Sequence, residues 1–208
     1  MRLWIASVSL ALALAAPPDE TALLERLRTG TPAERREAVA RLAEVGTAAA
    51  TSELAKALRD PDAEVRERTQ GALWAIWLRS GDAAVDALLQ HGILLMEQGR
   101  HAEAVAAFGE VIDRAPAFAE GWNKRATVYY LMGDYDRSIA DCEEVIRRNP
   151  IHFGALSGFG LNYLKKGELE RAAEYFERAL AVNPNLEQVE AGLEQIRELI
   201  RQRRRQSI

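Results

Sequence analysis

Apolar residues recur along this chain at the spacing of amphipathic helices, and over its second half the pattern repeats with a period of 34 residues. Glycine and proline mark the period, and bulky apolar residues keep the same register between them. The recurring sets are Gly99, Gly133 and Gly167; Pro116, Pro150 and Pro184; Leu95, Tyr129 and Tyr163; and Phe108, Cys142 and Phe176. A fixed period of this length indicates one structural unit copied three times.

The small residues of each copy predict a closely packed pair of helices. Gly92, Ala126 and Gly160 fall midway along the first helix, where a residue without bulk lets the second helix cross nearby. Gly99 and its two equivalents are predicted to end the first helix, because glycine adopts the left-handed conformation at little cost. Each proline is predicted to close the second helix.

Residues 83–184 resemble the tetratricopeptide repeat family, with three consecutive copies. The second copy matches the family pattern at Trp122, Ala126, Tyr129 and Gly133. The resemblance implies an all-α, right-handed solenoid of helix pairs, in which the first helices line a concave surface. The predicted repeats span residues 83–116, 117–150 and 151–184.

A weaker recurrence of 31 residues precedes these copies, between residues 16 and 80. Leu27, Arg35 and Leu42 recur 31 residues later as Leu58, Arg66 and Leu73, respectively. The string from Leu58 to Arg66, which contains Asp60-Pro61-Asp62, resembles the short HEAT-like repeats. This resemblance implies two further helix pairs, and in the second pair Asp60 is predicted to cap a helix with Pro61 in its first turn.

Trp74 and Trp77 lie near the end of the second HEAT-like unit, at a spacing that places them on one face of a helix. Two interpretations are open: an exposed aromatic anchor for a partner, or a seal at the joint between the two repeat arrays. We favour the joint, because large aromatic side chains mostly bury their area inside a fold. Gly81 is then predicted to end one helix and Asp82 to open the next.

Residues 185–208 predict a capping helix followed by a basic tail. The helix would cover the apolar end of the last repeat, which otherwise stays open to water. Its apolar stripe consists of Leu186, Val189, Leu193, Ile196 and Ile200. The tail, from Arg201 to Ile208, is either a binding site for anionic lipid or nucleic acid or a set of cations at a helix end. We favour the second interpretation, since the helix dipole stabilises cations there and no aromatic residues are interleaved.

The first 15 residues are typical of a secretory signal peptide. Arg2 precedes an apolar run from Leu3 to Leu14, and Ala13-Leu14-Ala15 forms a cleavage site. Export to the periplasm or beyond the cell is therefore expected. No transmembrane segment is expected in the mature chain, because the run is too short to span a bilayer. With 27 Lys and Arg against 31 Asp and Glu, the charge gives no basis for nucleic acid as a partner.

The sequence offers little chemistry for catalysis or cofactor binding. His91, His101 and His152 have no metal-ligand spacing with one another or with Cys142. No glycine-rich phosphate loop, nucleophile elbow or zinc helix is present. Cys142 holds a repeat position that is phenylalanine in the other two copies, so it is predicted to be a buried apolar side chain. We therefore expect no enzyme activity, no metal and no cofactor.

The concave surface is the predicted site of function, since the tetratricopeptide family commonly binds extended peptides or partner helices there. The predicted groove residues are Leu89, Ile93, Met96, Asn123, Thr127, Tyr130, Ser157, Leu161 and Leu164. Chaperone-binding members of the family clamp a terminal carboxylate with lysines and asparagines. Here Leu89 and Ile93 replace such polar residues, so the resemblance implies an apolar groove with Asn123 and Tyr130 as its polar contacts.

We therefore expect a non-catalytic scaffold of the cell envelope that binds a peptide or helix of another protein. Three alternatives stay open. In the first, the HEAT-like module or the terminal helix is folded over the groove and fills it. The protein is alternatively an assembly or accessory subunit of an envelope enzyme or transporter complex. It is alternatively a solenoid that binds a small molecule, such as the bilins on which some HEAT-like relatives act.

Overall fold

The computed structural model describes residues 19–206, and within that range the chain forms helices joined by short loops. The predicted signal peptide, residues 1–15, lies outside the described residues. None of the helices between residues 19 and 206 combines the length and the apolar character that a membrane crossing requires. The fold is an all-α solenoid, as the repeated pattern predicts.

Eleven α-helices follow one another in the described range. The first four form an N-terminal module, and the other seven form the repeat array with its cap. The helices are α1 (Glu20–Thr29), α2 (Pro32–Val45), α3 (Thr51–Ala57), α4 (Ala63–Trp77), α5 (Ala83–Glu97), α6 (His101–Arg114), α7 (Ala119–Leu131), α8 (Tyr135–Arg148), α9 (Phe153–Lys165), α10 (Leu169–Val182) and α11 (Glu187–Gln206).

The N-terminal module, α1–α4, is closed by an apolar core that includes Leu23, Leu42, Leu54 and Leu73. Helix α1 packs on α2, α3 packs on α4, and α2 packs on α4 across the two pairs. The module therefore consists of two helix pairs that share one core.

The start of α4 differs from the prediction. Its N-cap is Asp62, whose side chain accepts a hydrogen bond from the Val65 N–H at 3.0 Å, so Asp60 is not the cap. Asp60 instead binds the guanidinium of Arg35 through two hydrogen bonds of 2.8 Å each. Asp62 therefore begins the helix, and both carboxylates link the two units of the module, Asp60 through Arg35 and Asp62 through Arg36.

Each of the three copies in the repeat array is one helix pair: α5 with α6, α7 with α8, and α9 with α10. The predicted turns are confirmed, because Gly99, Gly133 and Gly167 have positive φ angles of 71°, 78° and 77°. The close helix crossing is confirmed as well. A Cβ built on Gly160 would lie 2.1 Å from a ring carbon of Phe176, so only glycine fits there without movement.

Helix α11 covers the end of the third repeat. Leu193 and Ile196 are buried in the apolar cluster around Phe176. Leu186, which the sequence places in the same stripe, packs against the core of the N-terminal module instead. The N-terminal module therefore reaches the far end of the repeat array.

Gly160→Ala is expected to lower the free energy of unfolding by about 1–3 kcal/mol, because the new methyl group would displace the buried ring of Phe176. Urea denaturation measures the change. Gly109→Ala is the matched control, since this glycine also lies inside a helix but a Cβ there meets no atom within 4 Å. The control is expected to raise the free energy of unfolding by up to about 1 kcal/mol through helix propensity. Equal destabilisation by both substitutions would contradict the close crossing.

Candidate functional site

The concave surface of the repeat array is lined by α5, α7 and α9, the first helices of the three pairs. We call the N-terminal turns of these helices the first half of the groove. The second half begins at Ile93 on α5, Thr127 on α7 and Leu161 on α9. The two halves differ in what covers them.

Two predicted binding residues are buried in the first half of the groove. Leu89 is 0% exposed and packs with Val85 and Phe108 in the core of the first repeat. Asn123 is also buried, and its Nδ2 donates to Oε1 of Glu120 over 3.0 Å. The prediction that these two side chains face a partner is therefore corrected, because their contacts lie inside the protein.

Helix α4 of the N-terminal module covers this half of the groove. The ring of Trp74 lies over Gly154, where a Cβ would come within 2.5 Å of the ring atom Cη2. Nζ of Lys124 lies 5.9 Å from the centroid of the same ring. Ser157, a predicted groove residue one turn further along α9, is half-buried, and its Oγ donates to the Phe153 carbonyl over 2.8 Å. In this half, the N-terminal module fills the groove.

Trp77 completes the contact with the third repeat. Its ring stacks on the imidazole of His152, with centroids 4.4 Å apart and an interplanar angle of 21°. It also lies against Phe153, with centroids 5.0 Å apart. Trp74 meets all three of these rings edge-on, each at 5.4 Å. The tryptophan pair therefore seals a joint, as favoured from the sequence, but with the third repeat and not with the first, which follows it in the chain.

Polar contacts surround this aromatic joint. Nε of Arg66 donates to Oδ1 of Asn185 over 3.1 Å, and Nδ2 of Asn185 donates to the Leu58 carbonyl over 2.7 Å. Nδ2 of Asn183 donates to Oε1 of Gln70 over 2.7 Å. The loop between α10 and α11 is therefore hydrogen-bonded to the N-terminal module as well as packed against it.

Arg66 occupies the position in the second unit of the module that Arg35 holds in the first. Arg35 binds Asp60 in the following unit, and Arg66 binds Asn185 after the third repeat. Each guanidinium also donates to a carbonyl of its own loop: Arg35 donates to the Gly30 carbonyl, and Arg66 donates to the Asp60 carbonyl. The loop that carries Asn185 thus lies where a third unit of the module would begin.

A buried polar cluster beside the joint connects the second repeat to the third. Glu120, at the start of α7, and His152, at the start of α9, have fully buried side chains. Nδ1 of His152 accepts from the Ala155 N–H at 3.0 Å, so Nε2 carries the proton and donates it to Oε2 of Glu120 at 3.0 Å. Oε1 of Glu120 accepts from Asn123 at 3.0 Å and pairs with Nζ of Lys124 at 3.2 Å. Three donors therefore surround the carboxylate, and one of them is a cation.

The surroundings of Glu120 favour its charged form. Burial by itself would raise the pKa of this carboxyl group, because a charge is less stable away from water. The hydrogen bond and the electrostatic interaction with His152 oppose that effect, together with the charge of Lys124 and the hydrogen bond from Asn123. The pKa of Glu120 is consequently held below its ordinary value of 4.5. Its donors all come from its own chain, so this cluster is internal structure.

The second half of the groove is open. Thr127 and Leu161 are exposed, the leucine by 40%. The half-buried members of the predicted set are Ile93, Met96, Tyr130 and Leu164. Leu131 and Leu199, which the prediction did not include, lie two periods apart in one register and are 51% and 46% exposed. The open half therefore carries exposed leucines on α7 and α9, and α11 adds a third.

The described range offers no site for metal or thiol chemistry. No three His, Cys, Asp or Glu side chains between residues 19 and 206 form a group able to hold a metal ion. Cys142 is buried, as predicted, and burial raises the pKa of its thiol to about 12. A thiol with that pKa is uncharged at neutral pH and therefore a poor nucleophile.

Sequence reasoning missed Glu120 and His152. Glu120 precedes Lys124 by four residues on a helix, which is the spacing of an ordinary surface ion pair. His152 precedes α9 without any motif around it. Both side chains are buried beside the joint, where Trp77 of α4 stacks on His152. The spacing of the tryptophans predicts a joint without identifying its partner.

A family model described as Tetratricopeptide repeat matches residues 89–152, and a second model with the same description matches residues 154–186. A TPR repeat-containing protein of Rhizobium etli is 36% identical over 108 residues, which are 52% of this chain and 53% of that protein. This chain therefore spans about half the length of that relative.

Two solved structures illustrate the likeness of the fold. The first TPR of Spaghetti (RPAP3), bound to an HSP90 peptide, aligns with a TM-score of 0.54 and 23% identity over 56% of this chain and 92% of that chain. MamA from Desulfovibrio magneticus RS-1 aligns with a TM-score of 0.51 and 19% identity over 87% of this chain and 85% of that chain. Likeness at these identities establishes the fold alone.

Glu120→Gln is expected to destabilise the protein at neutral pH by about 2–3 kcal/mol, because Lys124 and His152 lose a buried carboxylate. The pKa of Glu120 in the folded state lies below its unfolded value. The stabilisation by the carboxylate is therefore complete above about pH 5 and is lost as the pH falls through the folded pKa. Urea denaturation of both proteins, from about pH 7 down to about pH 3, measures the difference.

Glu97→Gln is the matched control, at an exposed carboxylate on α5. It is expected to change the free energy of unfolding by less than about 0.5 kcal/mol at each pH. If the difference in the free energy of unfolding between the wild-type protein and Glu120→Gln stays constant down to acid pH, this result would contradict the role of the Glu120 carboxylate.

Proposed function

We propose that this chain, which matches tetratricopeptide repeat models over residues 89–152 and 154–186, is a non-catalytic scaffold that binds a segment of a partner protein in the second half of its groove. Stacked helix pairs of this kind present an extended concave surface for binding. The RPAP3 domain was solved with a peptide of HSP90. That example supports a peptide segment as the class of ligand.

One observation carries the proposal: large apolar side chains stay exposed on the second half of the groove and on the capping helix beside it. Leu131, Leu161 and Leu199 expose 51%, 40% and 46% of their surface. Large apolar side chains left exposed near one another on a folded protein typically mark an interaction site. A partner segment that covers these leucines gains about 1 kcal/mol for each of them.

The groove favours an apolar ligand over a clamped carboxylate. Asn123 and Lys124 are the residue types that chaperone-binding members use for a clamp, and here both are already bound to Glu120. Glu120 would also repel an incoming carboxylate, because like charges interact strongly where water is excluded. We therefore propose an apolar peptide or an amphipathic helix as the ligand.

We propose that the partner is a protein of the cell envelope. The basis is residues 1–15, which are typical of a secretory signal peptide. A role as an assembly or accessory subunit of an envelope enzyme or transporter complex would use the same surface, and the identity of the partner distinguishes it from a general scaffold. A visible absorption band in the purified protein would instead support a bilin ligand.

A photoreactive amino acid at Leu161 is expected to crosslink the partner in cells of the source organism, because this side chain is exposed on the open half of the groove. Leu131→Asp is expected to lower the crosslinking yield at least about tenfold, since docking would bury a carboxylate among apolar groups. Mass spectrometry of the product identifies the bound segment, which is expected to be apolar on the side that contacts the groove.

Leu94 supplies the matched control, since it is 51% exposed on α5 but lies one residue outside the groove register. Leu94→Asp is expected to leave the crosslink from position 161 unchanged. Both aspartate variants are expected to melt close to the wild-type temperature, because the substituted side chains are exposed. Equal loss from Leu94→Asp and Leu131→Asp, or a crosslink from position 94 without one from position 161, would contradict the groove as the binding site.

A further inference from the structure

The first half of the groove holds a helix of the same chain, and the contact between them is made by side chains. On the side of the repeat array its aromatic centre consists of three consecutive residues, His152, Phe153 and Gly154. On the side of α4 it consists of Trp74 and Trp77, one helical turn apart. Large aromatic side chains packed into a shaped receptor are the usual centre of a protein–protein interface.

Gly154 shapes this receptor for an indole ring. The equivalent residues, one and two periods earlier, are Glu120 and Asp86, so the third repeat alone lacks a side chain at this position. A Cβ on Gly154 would lie 2.5 Å from Cη2 and 3.1 Å from Cζ2 of Trp74. The third repeat therefore accepts an aromatic ring where the other two repeats carry carboxylates.

The docked position of α4 also has an unfavourable component. Nε1 of Trp77 is buried and has no hydrogen-bond acceptor among the described residues. A buried donor without an acceptor opposes burial, because it has lost its hydrogen bonds to water. At the rim, the hydrogen bond from Arg66 to Asn185 joins partly exposed side chains, which water can also satisfy. A competing helix that supplies equivalent aromatic contacts can therefore take the place of α4 on the third repeat, while α4 stays packed on α2 in its own module.

We propose that the start of α9, with Glu120 and Lys124 beside it, is a binding site for a helix that carries two aromatic side chains one turn apart. Helix α4 fills this site within its own chain and acts as a built-in competitor. Residues 78–82 tether it to α5, which keeps it at an effective concentration of about millimolar. Only a partner helix that outcompetes this local concentration reaches the first half of the groove. The inference rests on the fold and not on the ligand proposed for the second half.

The test uses the full chain and a fluorescent peptide of residues 62–79, which contains α4. Replacing both tryptophans in the chain, Trp74→Ala with Trp77→Ala, removes both indole rings from the site and weakens the docking of α4. This double variant is expected to bind the peptide at least about tenfold more tightly than the wild-type protein in fluorescence anisotropy, because the competitor has been weakened. Adding Gly154→Val to the double variant is expected to abolish binding, since the new side chain takes the space of the indole ring.

Two controls test the specificity of the site. Trp122→Ala removes a tryptophan whose ring lies against Arg125 and Arg148, and it is expected to leave the weak wild-type binding unchanged. A peptide with alanine at both tryptophan positions is expected not to bind the double variant. Circular dichroism verifies that each variant is folded. If the double variant does not fold, Trp74→Ala alone replaces it, because Trp74 is only half-buried.

A folded variant that binds the peptide no better than the wild-type protein would overturn the proposal. Equal binding of the peptide that lacks tryptophan would do the same. Light scattering tests whether α4 fills the site of its own chain. A wild-type dimer that is lost when both tryptophans are replaced would mean that α4 fills the site of a second copy, and this result would overturn the proposal. Each of these outcomes is independent of crosslinking from position 161.

Discussion

The packing of the tryptophan pair of α4 on the third repeat is the contact on which the arrangement of the chain depends. It joins Trp77 to His152 although many residues separate them in the sequence. It also brings Phe153 and Leu186, which belong to the repeat array and its cap, into the apolar core of the N-terminal module. Because aromatic side chains bury large areas, this joint makes one packed unit of two arrays that the sequence presents as separate.

The joint also decides the electrostatics of the groove. An exposed carboxylate at the start of a helix, such as Glu120, is stabilised by water and by the helix dipole. Here the Glu120 side chain is fully buried beside the joint, so the charge needs partners inside the protein, and His152, Asn123 and Lys124 supply them. The asparagine and the lysine are consequently unavailable to a carboxylate ligand. Covering one half of the groove therefore selects an apolar ligand for the other half.

Recognition is left to the part of the groove that α4 does not cover. There Leu131 and Leu199 share one register, with Leu161 between them on α9. A bound segment would therefore meet one exposed leucine on α7, one on α9 and one on the capping helix α11. The two halves of the groove thus differ in occupant: a helix of the same chain in the first, and the proposed partner in the second.

The sequence by itself determined the helix pairs, their turns and their order, because these depend on local constraints. The period predicts where glycine adopts a positive φ, as at Gly133, and where a helix crossing requires a residue without bulk, as at Gly160. The tertiary structure alone decided which side chains are accessible. Leu89 and Leu161 belong to the same predicted set, yet one is buried in the core and the other is exposed. That difference, and the burial of Glu120, depend on packing between segments that are far apart in the sequence. A period that repeats from one helix pair to the next carries no information about such contacts.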